Sequence, residues 1–190
     1  LKRRSSISTG FHQFGWKKHM ISIMDTPGDQ NFFSDTRLCL QAADSAVVVL
    51  DGIDGVKVQS EKAWEFADEF NIPRVIFINK LDRERADFQK AFTDASDIFH
   101  PKPIILQIPI GAEAGFKGVV DLIQMKAFIY ENGKATATDI PEDLQESVEA
   151  EREKVVENIA EADDELVEKY LDGQELTADE LKKALRKGTV

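Results

Sequence analysis

Three short apolar runs, Met20-Ile21-Ser22-Ile23-Met24, Ala46-Val47-Val48-Val49-Leu50 and Arg74-Val75-Ile76-Phe77-Ile78, alternate with stretches of helical period, and this alternation restricts the fold more than any other feature. Between the first two runs, Phe32, Phe33, Leu38, Cys39 and Ala42 recur at helical spacing. Between the second and third, Ala63, Trp64, Phe66, Ala67 and Phe70 mark the inner stripe of a helix from about Val58 to Phe70, and Pro73 bars its continuation. Strands and helices in strict alternation imply an α/β fold with a mainly parallel sheet flanked by helices. The middle run is continuous and β-branched, which predicts a strand covered on both faces. Phe11 to Trp16 and Lys18 to Met24 read as a hairpin turning around Gly15-Trp16-Lys17.

Two of these strands end in residues suited to phosphate and base chemistry. Asp25-Thr26-Pro27-Gly28 follows the first run directly. A strand-end carboxylate such as Asp25 supplies the hard oxygen that magnesium needs beside a polyphosphate, often through a water. Gly28, lacking Cβ, lets a backbone N–H approach a γ-phosphate and move when that phosphate leaves. The third run ends in Asn79-Lys80-Leu81-Asp82, an N-K-x-D sequence. A carboxylate at Asp82 can accept from both N1–H and the exocyclic amine of guanine, a pair that adenine does not present. Asn79 braces such a loop, and the stem of Lys80 covers the base plane. Either motif alone is also what turn-forming residues at strand ends produce; the two together, in this order, indicate a guanine nucleotide site.

The pattern changes near Pro101. Segments 103–109, 118–123 and 126–130 read as short strands, with Glu131-Asn132-Gly133-Lys134 as a tight turn. Pro141 then opens a long amphipathic helix to about Leu171, and Thr177-Ala178-Asp179-Glu180 is a capping box for a last helix to about Lys187. The division expected is therefore 1–102 for a partial nucleotide-binding domain and 103–190 for an inserted α+β subdomain. Charge divides in the same place. Residues 1–103 carry 14 Lys+Arg against 15 Asp+Glu, and residues 104–190 carry 10 against 20. The second half is thus unsuited to nucleic-acid backbone and suited to a basic protein partner. Lys2, Arg3, Arg4, Lys17 and Lys18 stand in residues 1–24 without any acid, either as an ordinary solvated segment or as a basic arm near phosphates. With no long apolar span and no leader pattern, the expected location is cytoplasmic, away from membranes.

Several of these residues carry a family resemblance. Asp25-Thr26-Pro27-Gly28, Asp51-Gly52-Ile53-Asp54-Gly55-Val56, Asn79-Lys80-Leu81-Asp82-Arg83, Ile108 to Glu113 with Phe116 to Val119, and Lys169 to Leu176 together resemble the elongation factor G family of translational GTPases over essentially all 190 residues. The resemblance implies a P-loop GTPase-type sheet and a protein that hydrolyses GTP with Mg2+ in ribosomal translocation. It also implies an acidic insert that meets the ribosomal stalk protein. By the same resemblance Asp25, Thr26, Pro27, Gly28, Asp29, Asn79, Lys80 and Asp82 contact GTP or GDP, Ser6 and Asp25 bind the metal, and Gly28 and Asp29 occupy the catalytic positions.

Two departures mark a divergent paralogue. Asp29 stands where the family has a water-orienting histidine, and Ser6 stands where it has a magnesium-binding threonine. A carboxylate facing a polyphosphate orients water only at an electrostatic cost. No G-x-x-x-x-G-K-[ST] phosphate loop occurs in the sequence, so the chain is expected to start after that loop and its strand, to bind GTP weakly by itself and to hydrolyse none at a useful rate. The strand Ala46 to Leu50 is then expected to lack a neighbour, with self-association or local rearrangement as the remedy and the insert folding normally. Two alternatives remain open: a ribosome-binding GTPase that is not a translocase, and a non-catalytic module that binds the stalk.

Overall fold

The computed structural model describes residues 6–189, which divide into two compact units. One comprises residues up to Leu50 together with Val56–Phe77, and the other comprises Asp51–Gly55 with Ile78 onward.

In the first unit, β1 (Gly10–Trp16) and β2 (His19–Asp25) form an antiparallel hairpin in which Gly10 lies opposite Asp25 and Trp16 opposite His19. Its turn is Lys17-Lys18, both at positive φ, rather than Gly15-Trp16-Lys17. Two consecutive left-handed residues make the turn whose twist matches that of the strands. The ammonium of Lys17 lies over the Trp16 ring, 4.5 Å from its centroid, which helps hold a conformation that lysine does not favour. Beyond the Asp25 turn comes helix α1 (Phe33–Leu40), then β3 (Ala46–Asp51), helix α2 (Val58–Glu69) and β4 (Arg74–Asn79). Strands β3 and β4 are hydrogen-bonded neighbours. Ala46 N–H donates to Pro73 O and Gly52 N–H to Asn79 O, so the register advances in one direction and the pair is parallel, as a crossover through α2 requires.

One expectation fails at β3. Val48 and Leu50 are buried, whereas Val47 is 66% and Val49 56% exposed, so only one face is covered. The reason lies in the helices. Phe33 of α1 packs on Phe66 of α2, with Arg37 of α1 bonded to Glu69 at the end of α2, so the two helices pack together and do not sandwich the strands. Among the described residues the strands make three sheets, β1–β2, β3–β4 and a four-stranded one.

That third sheet belongs to the second unit. β5 (Gln107–Ile110), β6 (Gly118–Asp121), β7 (Lys126–Glu131) and β8 (Lys134–Thr138) form an antiparallel meander, with Asn132 and Gly133 both at positive φ in its tightest turn. β8 escapes a sequence reading because Lys134-Ala135-Thr136-Ala137-Thr138 is exposed throughout and its alternation of Ala with Thr offers no large apolar side chain. Helices α3 (Phe88–Ile98), α4 (Gln145–Ala160), α5 (Asp164–Leu171) and α6 (Ala178–Thr189) complete the unit. Val120, Leu122, Ala127, Val148, Ile159 and Leu181 form the centre of its core, with Phe88 and Phe92 of α3 packed against it.

The long helix expected from Pro141 to Leu171 is two helices. Asp163 adopts an extended conformation, and its carboxylate accepts from Glu165 N–H at 3.2 Å and from Lys187 Nζ at 3.0 Å. Side-chain capping restarts the helix there. The capping box at the start of α6 forms as read: Glu180 Oε2 accepts from Thr177 N–H at 2.9 Å and from its hydroxyl at 2.7 Å, while Lys169 Nζ of α5 reaches Glu180 Oε1 at 2.5 Å. Bonding by Lys169, then by Thr177, holds the Glu180 carboxyl down at about 2, below its ordinary 4.5. A depressed carboxyl contributes stability above its unfolded value and loses it as pH falls through the folded one. Helix α5 should therefore loosen from α6 between about pH 4.5 and 2. An acid titration followed by helical circular dichroism should show a shallower slope in that window for Glu180→Gln; equal slopes would refute the contact's role.

Candidate functional site

In the first unit Asp25 ends β2 with its side chain exposed, and the chain turns at Thr26-Pro27-Gly28. Pro27 is fully buried, and its carbonyl accepts from the buried hydroxyl of Thr36 on α1 at 3.1 Å. This anchor fixes the turn to the helix that follows it. Threonine within a helix gives no sequence signal of such a role, since the bond depends on how the turn folds back. A Cβ built at Gly28 meets nothing within 4 Å, so the space above its backbone is open to a ligand.

Asp29 caps the short 3-10 turn Gln30–Phe32. Its Oδ1 accepts from both the backbone N–H and the side-chain amide of Asn31, each at 2.9 Å. The carboxylate at the position of the resembled family's histidine is thus turned onto its own chain. Ser6 is exposed ahead of β1. The oxygen donors Asp25 and Ser6 suit a hard cation such as Mg2+ in kind. Among the described residues no group of three or more His, Cys, Asp or Glu could hold a metal unaided, so a cation at Asp25 needs further oxygens brought by its ligand.

The second unit carries Asn79, Lys80 and Asp82. Asn79 Oδ1 accepts from Lys80 N–H at 2.8 Å, and Asn79 O accepts from Gly52 N–H at 2.8 Å. Gly52 is required there, because a Cβ would stand 2.9 Å from Leu81 Cδ2 and 3.0 Å from Asn79 O. Lys80 sits at φ +62 and places its ammonium 2.5 Å from Asp51 Oδ2. That bond, with Ile53 N–H donating to Asp51 Oδ1 at 2.9 Å, holds the Asp51 carboxyl below its usual range. Arg83 N–H donates to Lys80 O at 3.1 Å and Asp87 N–H to Gly52 O at 2.8 Å, so the loop is closed on itself and tied to the Asp51–Gly55 turn. Asp82 stands exposed at its tip. The Asp51 pairing lies outside the Asn79–Asp82 motif; the only hint of it in the sequence is the position of Asp51 at the end of the neighbouring strand.

Comparison with known proteins agrees with this geometry. The profile of the elongation factor Tu GTP binding domain matches residues 2–181. Elongation factor G 1 of Bdellovibrio bacteriovorus is 45% identical over 179 residues, covering 92% of this chain and 26% of that protein. A crystal structure from Thermus thermophilus superposes with a TM-score of 0.85 at 33% identity, covering 95% of this chain and 27% of that one. The chain thus spans about a quarter of the length of the relatives it matches. A family match across nearly the whole length shows that the chain belongs to the translational GTPases, in the family of the elongation factor Tu GTP binding domain, and is similar throughout to elongation factor G.

Proposed function

We propose that this chain supplies switch, base-reading and insert segments of a GTP-hydrolysing elongation factor that works on the ribosome in GTP-driven translocation, in the cytoplasm. The observation that carries the reading is the 45% identity to an elongation factor G across 92% of the chain. Asp25 to Asp29 would serve the phosphate end of GTP or GDP, and Asn79, Lys80 and Asp82 the guanine end. Asp25 and Ser6 would supply oxygens to a Mg2+ whose charge would offset that of the phosphates. The insert from Pro103 onward, with 20 acids against 10 bases in residues 104–190, offers a stalk protein an acidic surface.

Asp29 favours keeping a second reading, since its carboxylate is occupied as a cap. In that reading the protein binds the ribosome without cycling nucleotide. The test uses the full-length gene product: GTP and ATP affinity, then GTP turnover with and without ribosomes. Selective GTP binding with ribosome-stimulated turnover supports the elongation-factor reading. GTP binding without stimulation supports the second, and equal affinity for ATP and GTP overturns the elongation-factor reading.

A further inference from the structure

The turn between β5 and β6 reaches back to the base-reading loop. Glu113 N–H donates to Leu81 O at 3.0 Å, and Glu113 Oε1 accepts from Arg85 N–H at 2.7 Å. These two bonds fall on either side of Asp82 in sequence. They therefore fix the backbone before and after the carboxylate that reads guanine. Arg85 is at φ +69, a conformation arginine seldom adopts unaided, and its N–H is the group that Glu113 holds.

The turn that presents Glu113 is rigid. Glu113 itself is at φ +52, and Gly111 is at φ +78, where a Cβ would stand 2.1 Å from Gly115 O. Gly115 N–H donates to Ala112 O at 2.9 Å, Phe116 N–H to Glu113 O at 3.0 Å and Lys117 N–H to Ile110 O at 2.9 Å. A non-glycine residue held at positive φ persists only where its surroundings over-determine it. Helix α3, which starts after the loop with Asp87 capping Lys90 N–H at 3.0 Å, is likewise anchored through Phe88 and Phe92 in the core beneath this sheet.

We propose that Glu113 is a positioning residue for guanine recognition, aiming Asp82 through Leu81 O and Arg85 N–H and so making the insert a structural part of base selectivity. The proposal rests on the guanine-binding reading above. Guanine offers Asp82 two donors, N1–H and the exocyclic amine, whereas hypoxanthine offers only N1–H. Misaiming Asp82 therefore weakens GDP more than IDP, while a general loss of fold weakens both alike.

The experiment measures GDP and IDP affinity of the full-length protein by displacement of a fluorescent GDP analogue. Glu113→Ala and Glu113→Asp, the latter too short to reach Arg85 N–H, should each lower GDP affinity about fivefold to tenfold, the scale of one hydrogen bond. Both should also shrink the GDP-to-IDP preference about threefold or more on the same scale. Glu113→Gln, whose amide oxygen still accepts, should stay within about twofold of wild type. An unchanged GDP-to-IDP preference in Glu113→Ala and Glu113→Asp, whatever their absolute affinities, overturns the proposal. A wild-type protein that binds neither nucleotide overturns the guanine reading first and this one with it.

Discussion

Asp82→Asn in the full-length protein should move base preference from guanine to xanthine, changing the ratio of GTP to XTP affinity by about 10²-fold or more, the worth of two charge-assisted bonds. A carboxylate at this position can accept from N1–H and the 2-amine of guanine, whereas an amide can donate to the 2-oxo group of xanthine in the amine's place. The structure makes this a clean substitution. Asp82 is exposed, and the bonds that shape its loop, Arg83 N–H to Lys80 O and those of Glu113 to Leu81 and Arg85, do not involve its side chain. Asparagine can therefore occupy the position without moving the backbone. Competition between GTP and XTP for the wild-type and variant proteins is the measurement, and an unaltered ratio would remove Asp82 from base recognition.

Asp29→His should raise ribosome-stimulated, single-turnover GTP hydrolysis about 10²-fold, the lower range for a positioned acid–base group. Two effects oppose each other here. Histidine gives up the cap on Asn31, which costs about 1 kcal/mol at a helix start. It also removes an anion from the phosphate side of the site and introduces a side chain able to orient water. The rate term is the larger by about 2 kcal/mol against that cap. Asp29→Ala separates the two, since it loses the cap and gains no water-orienting group. Hydrolysis by Asp29→His equal to or slower than wild type would mean that the carboxylate leaves its cap and takes part in catalysis.

What the sequence made legible were features settled by neighbours along the chain. Strand ends at Asp25 and Asn79, the Asn132-Gly133 turn and the Thr177–Glu180 capping box all depend on residues within a few positions, and each stands where its pattern put it. The misreadings arose where a distant partner decides the outcome. A β-branched run such as Ala46–Leu50 says that a strand is apolar, not how many helices lie on it. Asp163 is the exception, a break made by a local cap on Glu165 N–H that the long apolar period of the segment hides. At the candidate site the motif residues were readable, but their supports were not: Thr36 on Pro27, Asp51 on Lys80 and Glu113 on Arg85 each join segments at separations that no periodicity reports.

The meander β5–β8 pairs every strand with its immediate neighbour in sequence. Such a sheet closes only short loops, so its chain entropy is spent in small steps and low contact order makes its assembly fast. The parallel pair β3–β4 has to close across the whole of α2 before its first bond forms. The order of assembly follows from that difference. The turn carrying Glu113 is therefore expected to form before the strand leading into Asn79 finds its neighbour. On that order the Asn79–Asp82 loop would close against a turn already set, which would impose the positive φ of Lys80 and Arg85.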